Sequence, residues 1–173
     1  MNLNDYIGVT PDFPKKGISF KDISPLLRNP DAFNYCLEEL SKLAKEFNPT
    51  LIVGAESRGF IFGAALANKM NLGFVMARKG GKLPGITCKV SYQLEYGTAT
   101  MEVPANSFKP NDRVLLIDDL LATGGTFAAV AKLVKAAGGN PVGALAVIRL
   151  TELKGEENAL VPCKWLLDLS DSH

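Results

Sequence analysis

Two adjacent carboxylates followed by small, hydroxyl-bearing residues occupy positions 118–126, where Asp118-Asp119-Leu120-Leu121 leads into Ala122-Thr123-Gly124-Gly125-Thr126. The apolar run Val114 to Ile117 before them predicts a strand and Phe127 to Ala137 after them a helix, so this stretch spans a strand end, a tight loop and a helix start. Backbone N–H groups without intrahelical partners point out of a helix start, where the helix dipole also favours an anion. Thr123 and Thr126 add hydroxyl donors, and Gly124 and Gly125 let the backbone approach a phosphate closely. Two carboxylates would repel that phosphate, so Asp118 and Asp119 must serve another part of the same ligand. Ribose hydroxyls, or a metal ion held by ribose and phosphate together, suit acceptors at this position.

A second strand end, after Leu51-Ile52-Val53, carries Glu56-Ser57-Arg58-Gly59 immediately before a predicted helix over Phe60 to Met70. Arg58 offers a fork of donors matched to a diphosphate. A third predicted strand, Phe74 to Ala77, opens into Arg78-Lys79-Gly80-Gly81-Lys82-Leu83-Pro84-Gly85. Flexible, Gly-flanked cations of this kind can close over a charged group and release it. Other chemistries fit the residues poorly. Ser57 lies in G-x-x-S-x-G, one position off the hydrolase elbow, and the sole histidine is His173, at the last position, which argues against a Ser-His or Cys-His pair. No Gly-Lys-Ser/Thr is present for a Walker loop, and no G-x-G-x-x-G follows a predicted strand, which removes the fingerprint of a dinucleotide-dependent oxidoreductase.

These loops need a frame that brings them together. Asp31 to Phe47 places Phe33, Leu37, Leu40, Leu43 and Ala44 at helical spacing, with Asn29-Pro30-Asp31 as a start and Pro49 beyond the end. Val142 to Leu150 and Trp165 to Leu169 are two further strand-like runs. Strands alternating with helices predict a single α/β domain over 1–173, with a mostly parallel central sheet flanked by helices. Ligands bind such sheets beyond the carboxyl ends of the strands, where the loops after Val53 and Ile117 both fall. Two segments stand outside the alternation. Residues 1–30, with Pro11, Pro14, Pro25 and Pro30, predict an irregular cover, a small N-terminal hood. Residues 79–110 are long, polar and rich in turn formers, with a short hairpin expected over Glu95 to Val103, and predict a flexible lid.

A formal charge of +1 gives no reason to expect nucleic acid or a membrane surface as partner. The cysteines Cys36, Cys88 and Cys163 are widely spaced, which supports neither a structural zinc site nor a disulfide framework. No apolar stretch approaches the roughly 20 residues of a membrane span, and the start MNLNDYIGV lacks a secretory pattern, so the expected location is cytoplasmic.

The run D-D-x-x-A-T-G-G-T resembles the phosphoribosyl-diphosphate (PRPP) signature of the type I phosphoribosyltransferase family. Within that family, S-Y-x-L-E-Y-G at 91–97 after R-K-x-G-K-L-P-G at 78–85 is similar to the adenine phosphoribosyltransferases. So are Pro11-Asp12-Phe13-Pro14-Lys15-Lys16-Gly17 and Phe20-Lys21-Asp22-Ile23-Ser24-Pro25-Leu26. These matches run from about residue 11 to about residue 137, most of the chain. The resemblance implies a magnesium-dependent, purine-salvage enzyme, a homodimer, that converts adenine and PRPP into AMP and diphosphate. It assigns Asp118 and Asp119 to the ribose hydroxyls and Ala122, Thr123, Gly124, Gly125 and Thr126 to the 5-phosphate. Glu56, Ser57, Arg58, Arg78, Lys79 and Lys82 fall to the diphosphate, with Arg78 and Lys79 alternatively reaching a neighbouring subunit.

By the same resemblance Glu95 manages a purine proton, and Ser19, Phe20 and Lys21 hold adenine. No direct protein ligand is expected for Mg2+, which PRPP and water hold. The Glu56–Ser57 bond is the candidate for the non-proline cis peptide that this family's diphosphate loop commonly carries. Ser19 stands where the family often has an aliphatic residue and Lys21 where it often has arginine, so adenine selectivity is less constrained than PRPP binding. A phosphoribosyltransferase for another base would share the PRPP loop but not the L-E-Y-G string. A non-catalytic PRPP-sensing regulator would need a DNA-binding extension, and residues 1–30 are too short and too Pro-rich for a winged helix.

Overall fold

Strands that are apolar on both faces need helices on both faces. The computed structural model, which describes residues 1–93 and 97–171, has this arrangement. In chain order the elements are β1 (Gly8–Pro11), β2 (Ser19–Asp22), α1 (Ser24–Arg28), α2 (Pro30–Lys45), β3 (Leu51–Ala55), α3 (Arg58–Met70), β4 (Gly73–Lys79), β5 (Thr87–Gln93), β6 (Thr98–Pro104), β7 (Arg113–Leu121), α4 (Gly125–Ala136), β8 (Asn140–Leu150) and β9 (Cys163–Leu169). Seven strands form one sheet in the order β5-β6-β4-β3-β7-β8-β9. From β4 to β9 neighbouring strands are parallel, while β6 joins β4 and β5 antiparallel at one edge.

Strand alternation divides the core. Leu115, Ile117, Leu145 and Val147 pack with Leu37 and Leu40 of α2 and Phe62 and Leu66 of α3. Val114, Leu116, Ala144 and Ala146 point to the other face, against Phe127, Val130 and Val134 of α4. The α2 helix begins as its sequence requires, since the Asn29 side chain accepts from Ala32 N at 3.0 Å and Pro30 fills the first turn.

Three segments depart from the pattern-based expectation. The acids do not follow the end of β7 but lie within it, because the strand continues through Asp118 and Asp119 to Leu121 by pairing with β8. Its pairing with β3 stops at Ile117, so at the acids β7 has lost its neighbour on that side. Much of 79–110 is not loop: β5 and β6 pair from Thr87↔Pro104 to Gln93↔Thr98, with Met101 and Val103 buried in the core. The alternation there is half polar because the opposite face of this edge hairpin is not covered. The 1–30 segment also has more order than its prolines suggest. Strands β1 and β2 form a small antiparallel hairpin, and Leu3, Ile23 and Leu26 at its base are buried in the main core. No helix is long and apolar enough to cross a membrane among the described residues.

Candidate active site

The parallel register Leu51↔Val114 through Gly54↔Ile117 sets the carboxyl end of β3 level with Ile117, just before the acids of β7. The loop leaving β3 therefore meets the acids of β7. Arg58, at the start of α3, places Nε 2.8 Å from Asp119 Oδ2, and the Asp119 side chain is only 6% exposed. Asp118 Oδ1 accepts from the Asp119 backbone N at 2.8 Å. Gly59 makes this approach possible, since a Cβ there would stand 2.9 Å from Ile117 O and 3.2 Å from Asp118 Oδ1. Burial, and after it the charge of Asp119, pushes the Asp118 carboxyl well above the ordinary carboxylate range. The pair thus has one member bonded to Arg58 and one that gains from any hydrogen-bond donor. Both line a groove of about 500 Å³ together with Arg58, Lys79, Tyr92 and Thr126.

Glu56 organises the basic side of this groove. Its carboxylate, 7% exposed, accepts from Lys82 Nζ at 2.6 Å, Arg78 Nε at 3.0 Å and Lys79 N at 3.1 Å. The Glu56–Ser57 peptide is cis. The bond to Lys82, then that to Arg78, lowers the Glu56 carboxyl to about 2 despite its burial. A folded-state value below the unfolded one of about 4.3 means that this stabilisation is present above the unfolded value and is lost as pH falls toward the folded one. Urea midpoints of the wild type and Glu56→Gln should therefore differ at neutral pH in favour of the wild type, with the gap closing between about pH 4 and pH 2. The base of the same loop rests on β6, where buried Glu102 accepts from Gly81 N at 3.3 Å.

Beyond Leu121 the chain turns through Gly124, in the left-handed region at φ 87°, into α4. Residues 120–127 line a hollow of about 50 Å³. No side chain caps this helix start, and Gly125 N donates to Thr123 Oγ1 at 3.3 Å. On the far side of Arg58 lies a second open pocket of about 460 Å³, lined by Phe13, Phe20, Asp22, Ser24 and Ile61 among others. The Arg58 guanidinium stands 5.6 Å from the Phe20 ring centroid. Ser19 and Lys21 point to the opposite, buried face of β2, where Lys21 Nζ donates to Ser19 Oγ at 2.7 Å. Glu95 lies outside the described residues. Thiol chemistry has little place here, because burial raises Cys36 to about 12 and Cys163 to about 11.

Residues 23–164 match the family described as the phosphoribosyl transferase domain. The chain is 51% identical over 167 residues to the adenine phosphoribosyltransferase of Rhodospirillum rubrum, covering 96% of this chain and 98% of that protein. It is 50% identical over 154 residues to that of Kosmotoga olearia, covering 89% and 91%. This chain belongs to the adenine phosphoribosyltransferase family. Crystal structures of this family superpose closely: the Thermoanaerobacter pseudethanolicus protein has a TM-score of 0.92 at 43% identity, covering 97% of this chain and 100% of that one. The Saccharomyces cerevisiae enzyme, solved with adenine and an imino-altritol bisphosphate, has a TM-score of 0.91 at 38% identity, covering 95% and 96%.

Against this family fold the motif residues divide. Glu56, Ser57, Arg58, Lys79, Asp118, Asp119, Ala122 and Thr126 line one groove, with Arg78 and Lys82 bonded to Glu56 at its basic side. Of the three hood residues assigned to adenine, Phe20 lines the open pocket, whereas Ser19 and Lys21 turn to the buried face. Sequence patterns passed over Glu102, whose partner Gly81 is 21 positions away, and the stretch 151–160. Neither carries a local signal, since each matters through a contact made only after folding.

Proposed function

We propose that this protein transfers the 5-phosphoribosyl group of PRPP to adenine, releasing diphosphate and forming AMP in purine salvage. The observation that carries the proposal is the shared groove, in which an Arg58-held Asp119 and a crowded Asp118 stand between a basic rim and a helix-start hollow. Those surroundings suit, in order, ribose hydroxyls, a diphosphate and a 5-phosphate. Displacement at the anomeric carbon develops oxocarbenium character, as in glycoside chemistry. Asp118 and Asp119 accept from the ribose hydroxyls and balance positive charge on the ring. Ala122 to Thr126 hold the 5-phosphate, away from the bond that breaks, and so orient the reacting carbon.

Arg58, Lys79 and Lys82 stabilise charge on the departing diphosphate. Glu56 contributes through the cations it holds, since an ionised carboxylate does not bind an anion; Ser57 acts through its backbone and Arg78 completes the rim. The hard oxygens of Asp118 and Asp119 line the same groove and would suit the surroundings of a magnesium ion held mainly by PRPP and water. Such an ion would supply charge neutralisation at the leaving group. Adenine lies against Phe20, with Ser19 and Lys21 reaching it through backbone groups, as their side chains turn away. Glu95 holds or exchanges a proton at purine N7 as the N9 bond forms. Tyr92, three positions before Glu95, lines the groove, which supports that role. We infer a homodimer as the working form, as the family resemblance implies.

Purified protein given magnesium and PRPP should turn over adenine, and not hypoxanthine, guanine, xanthine or orotate. Turnover of another base in its place would reassign the substrate, and PRPP binding without any turnover would make the protein a sensor. Glu95→Gln should lower kcat by about 100-fold or more while PRPP affinity changes little. Unchanged turnover would remove Glu95 from the mechanism.

A further inference from the structure

The stretch 151–160, between β8 and β9, has no motif, yet it packs directly behind the phosphate hollow. A Cβ on Gly155 would overlap the Ala122 carbonyl oxygen and stand 2.9 Å from Gly124 N, and a Cβ on Gly124 would overlap the Gly155 carbonyl oxygen. Asn158 Nδ2 donates to Thr123 O at 3.2 Å. Ala159, next in the chain, is fully buried in the α4 core. The other end of the stretch is tied to the sheet. Arg149 grips Glu156 with two bonds, Nε to Oε1 at 2.9 Å and Nη2 to Oε2 at 2.7 Å, and reaches Asp168 Oδ1 with Nη1 at 3.0 Å. Its guanidinium lies 4.7 Å from the Trp165 ring centroid. Two strands of the sheet thus hold a bracket whose far side touches the backbone of 122–124.

We propose that Gly155 and Asn158 are positioning residues for the 5-phosphate: they set the height of the 122–126 loop so that its N–H groups converge on that phosphate. The inference rests on the function proposed above. The physical case is that backbone donors discriminate sharply with distance, and the N-cap residue of the loop, Gly124, has no side chain to hold it. Gly155 permits van der Waals approach of two backbones at the Ala122 carbonyl, and Asn158 ties the next carbonyl of the loop, Thr123 O. Neither touches the ligand.

Calorimetry with ribose 5-phosphate and, separately, with diphosphate tests the assignment on the whole chain, with melting temperature recorded for each variant. Asn158→Ala should weaken ribose 5-phosphate about fivefold, the worth of one hydrogen bond, and Gly155→Ala more than about tenfold. Diphosphate affinity should stay within about twofold of wild type in both, because its subsite is built from β3 and β4. In turnover, the KM for PRPP should rise more than that for adenine. Equal weakening of both ligands would mark a general loosening and overturn the inference, as would unchanged ribose 5-phosphate affinity in Asn158→Ala. Asn158→Ala alone decides the matter if Gly155→Ala fails to fold. A wild-type protein that binds neither ligand overturns the proposed function and this inference with it, whereas wild-type binding with indifferent variants overturns the inference alone.

Discussion

Asp119→Asn is expected to lower kcat/KM for PRPP by about 10² to 10³-fold, the effect of losing charge-assisted bonds to ribose that total roughly 3 to 4 kcal/mol. The same change releases Arg58, whose Nε lies 2.8 Å from the Asp119 carboxylate, so the diphosphate side suffers too. Asp118→Asn should damage activity comparably and yet raise stability. Burial and the neighbouring charge push the Asp118 carboxyl up in the folded protein, so its ionised form opposes folding at neutral pH. As pH falls through the folded value toward the ordinary value of about 3.9 that opposition vanishes. Melting curves should therefore show Asp118→Asn above wild type at pH 7, with the advantage fading toward about pH 4. An Asp118→Asn protein less stable than wild type at pH 7 would show that the pair is not crowded in the free protein. The adjacent acids are thus distinct in physics, one held and one strained, although they read alike.

Gly124→Ala is expected to have the largest effect on stability. The residue sits at φ 87°, where a Cβ costs about 1 to 2 kcal/mol. That Cβ would also overlap the Gly155 carbonyl, a backbone atom unable to rotate away, adding about 1 to 3 kcal/mol of overpacking. A loss of about 2 to 5 kcal/mol predicts a melting temperature lower by roughly 5 to 15 °C for a chain of this size. PRPP bound in excess should recover only part of that loss, because the shifted loop binds it more weakly. A Gly124→Ala protein that melts with the wild type would mean that loop and bracket are freer to separate than their packing implies.

Much of this was legible in the chain. Helical spacing in 31–47, apolar strands at 51–53 and 114–117, and acids followed by Thr and Gly at a helix start are patterns among near neighbours, where backbone geometry dictates the period. The resemblance of 78–97 to one family added the base and the proton-handling role proposed for Glu95. The edge hairpin was less legible. Residues 87–104 alternate weakly because only one face of β5 and β6 is buried, and the many turn formers nearby look like loop. The hood was obscured in the same way by its prolines, since the pairing of β1 with β2 lies outside any periodic run.

By itself the sequence determined the chemistry available: which loops could take phosphate, which carried cations, and which offered paired acceptors. These follow from residue type and spacing, and folding does not change them. Only the tertiary structure decided how those groups are assigned. Glu56 faces three donors rather than a ligand because β4 runs beside β3, and Asp119 differs from Asp118 because the register of β3 on β7 delivers Arg58 to one of them. The bracket of 151–160 exists only because β8 lies beside β7 and β9 beside β8. Registers of this kind are fixed by burial between segments some 60 residues apart, Leu51 against Val114 for example, and no local pattern encodes them.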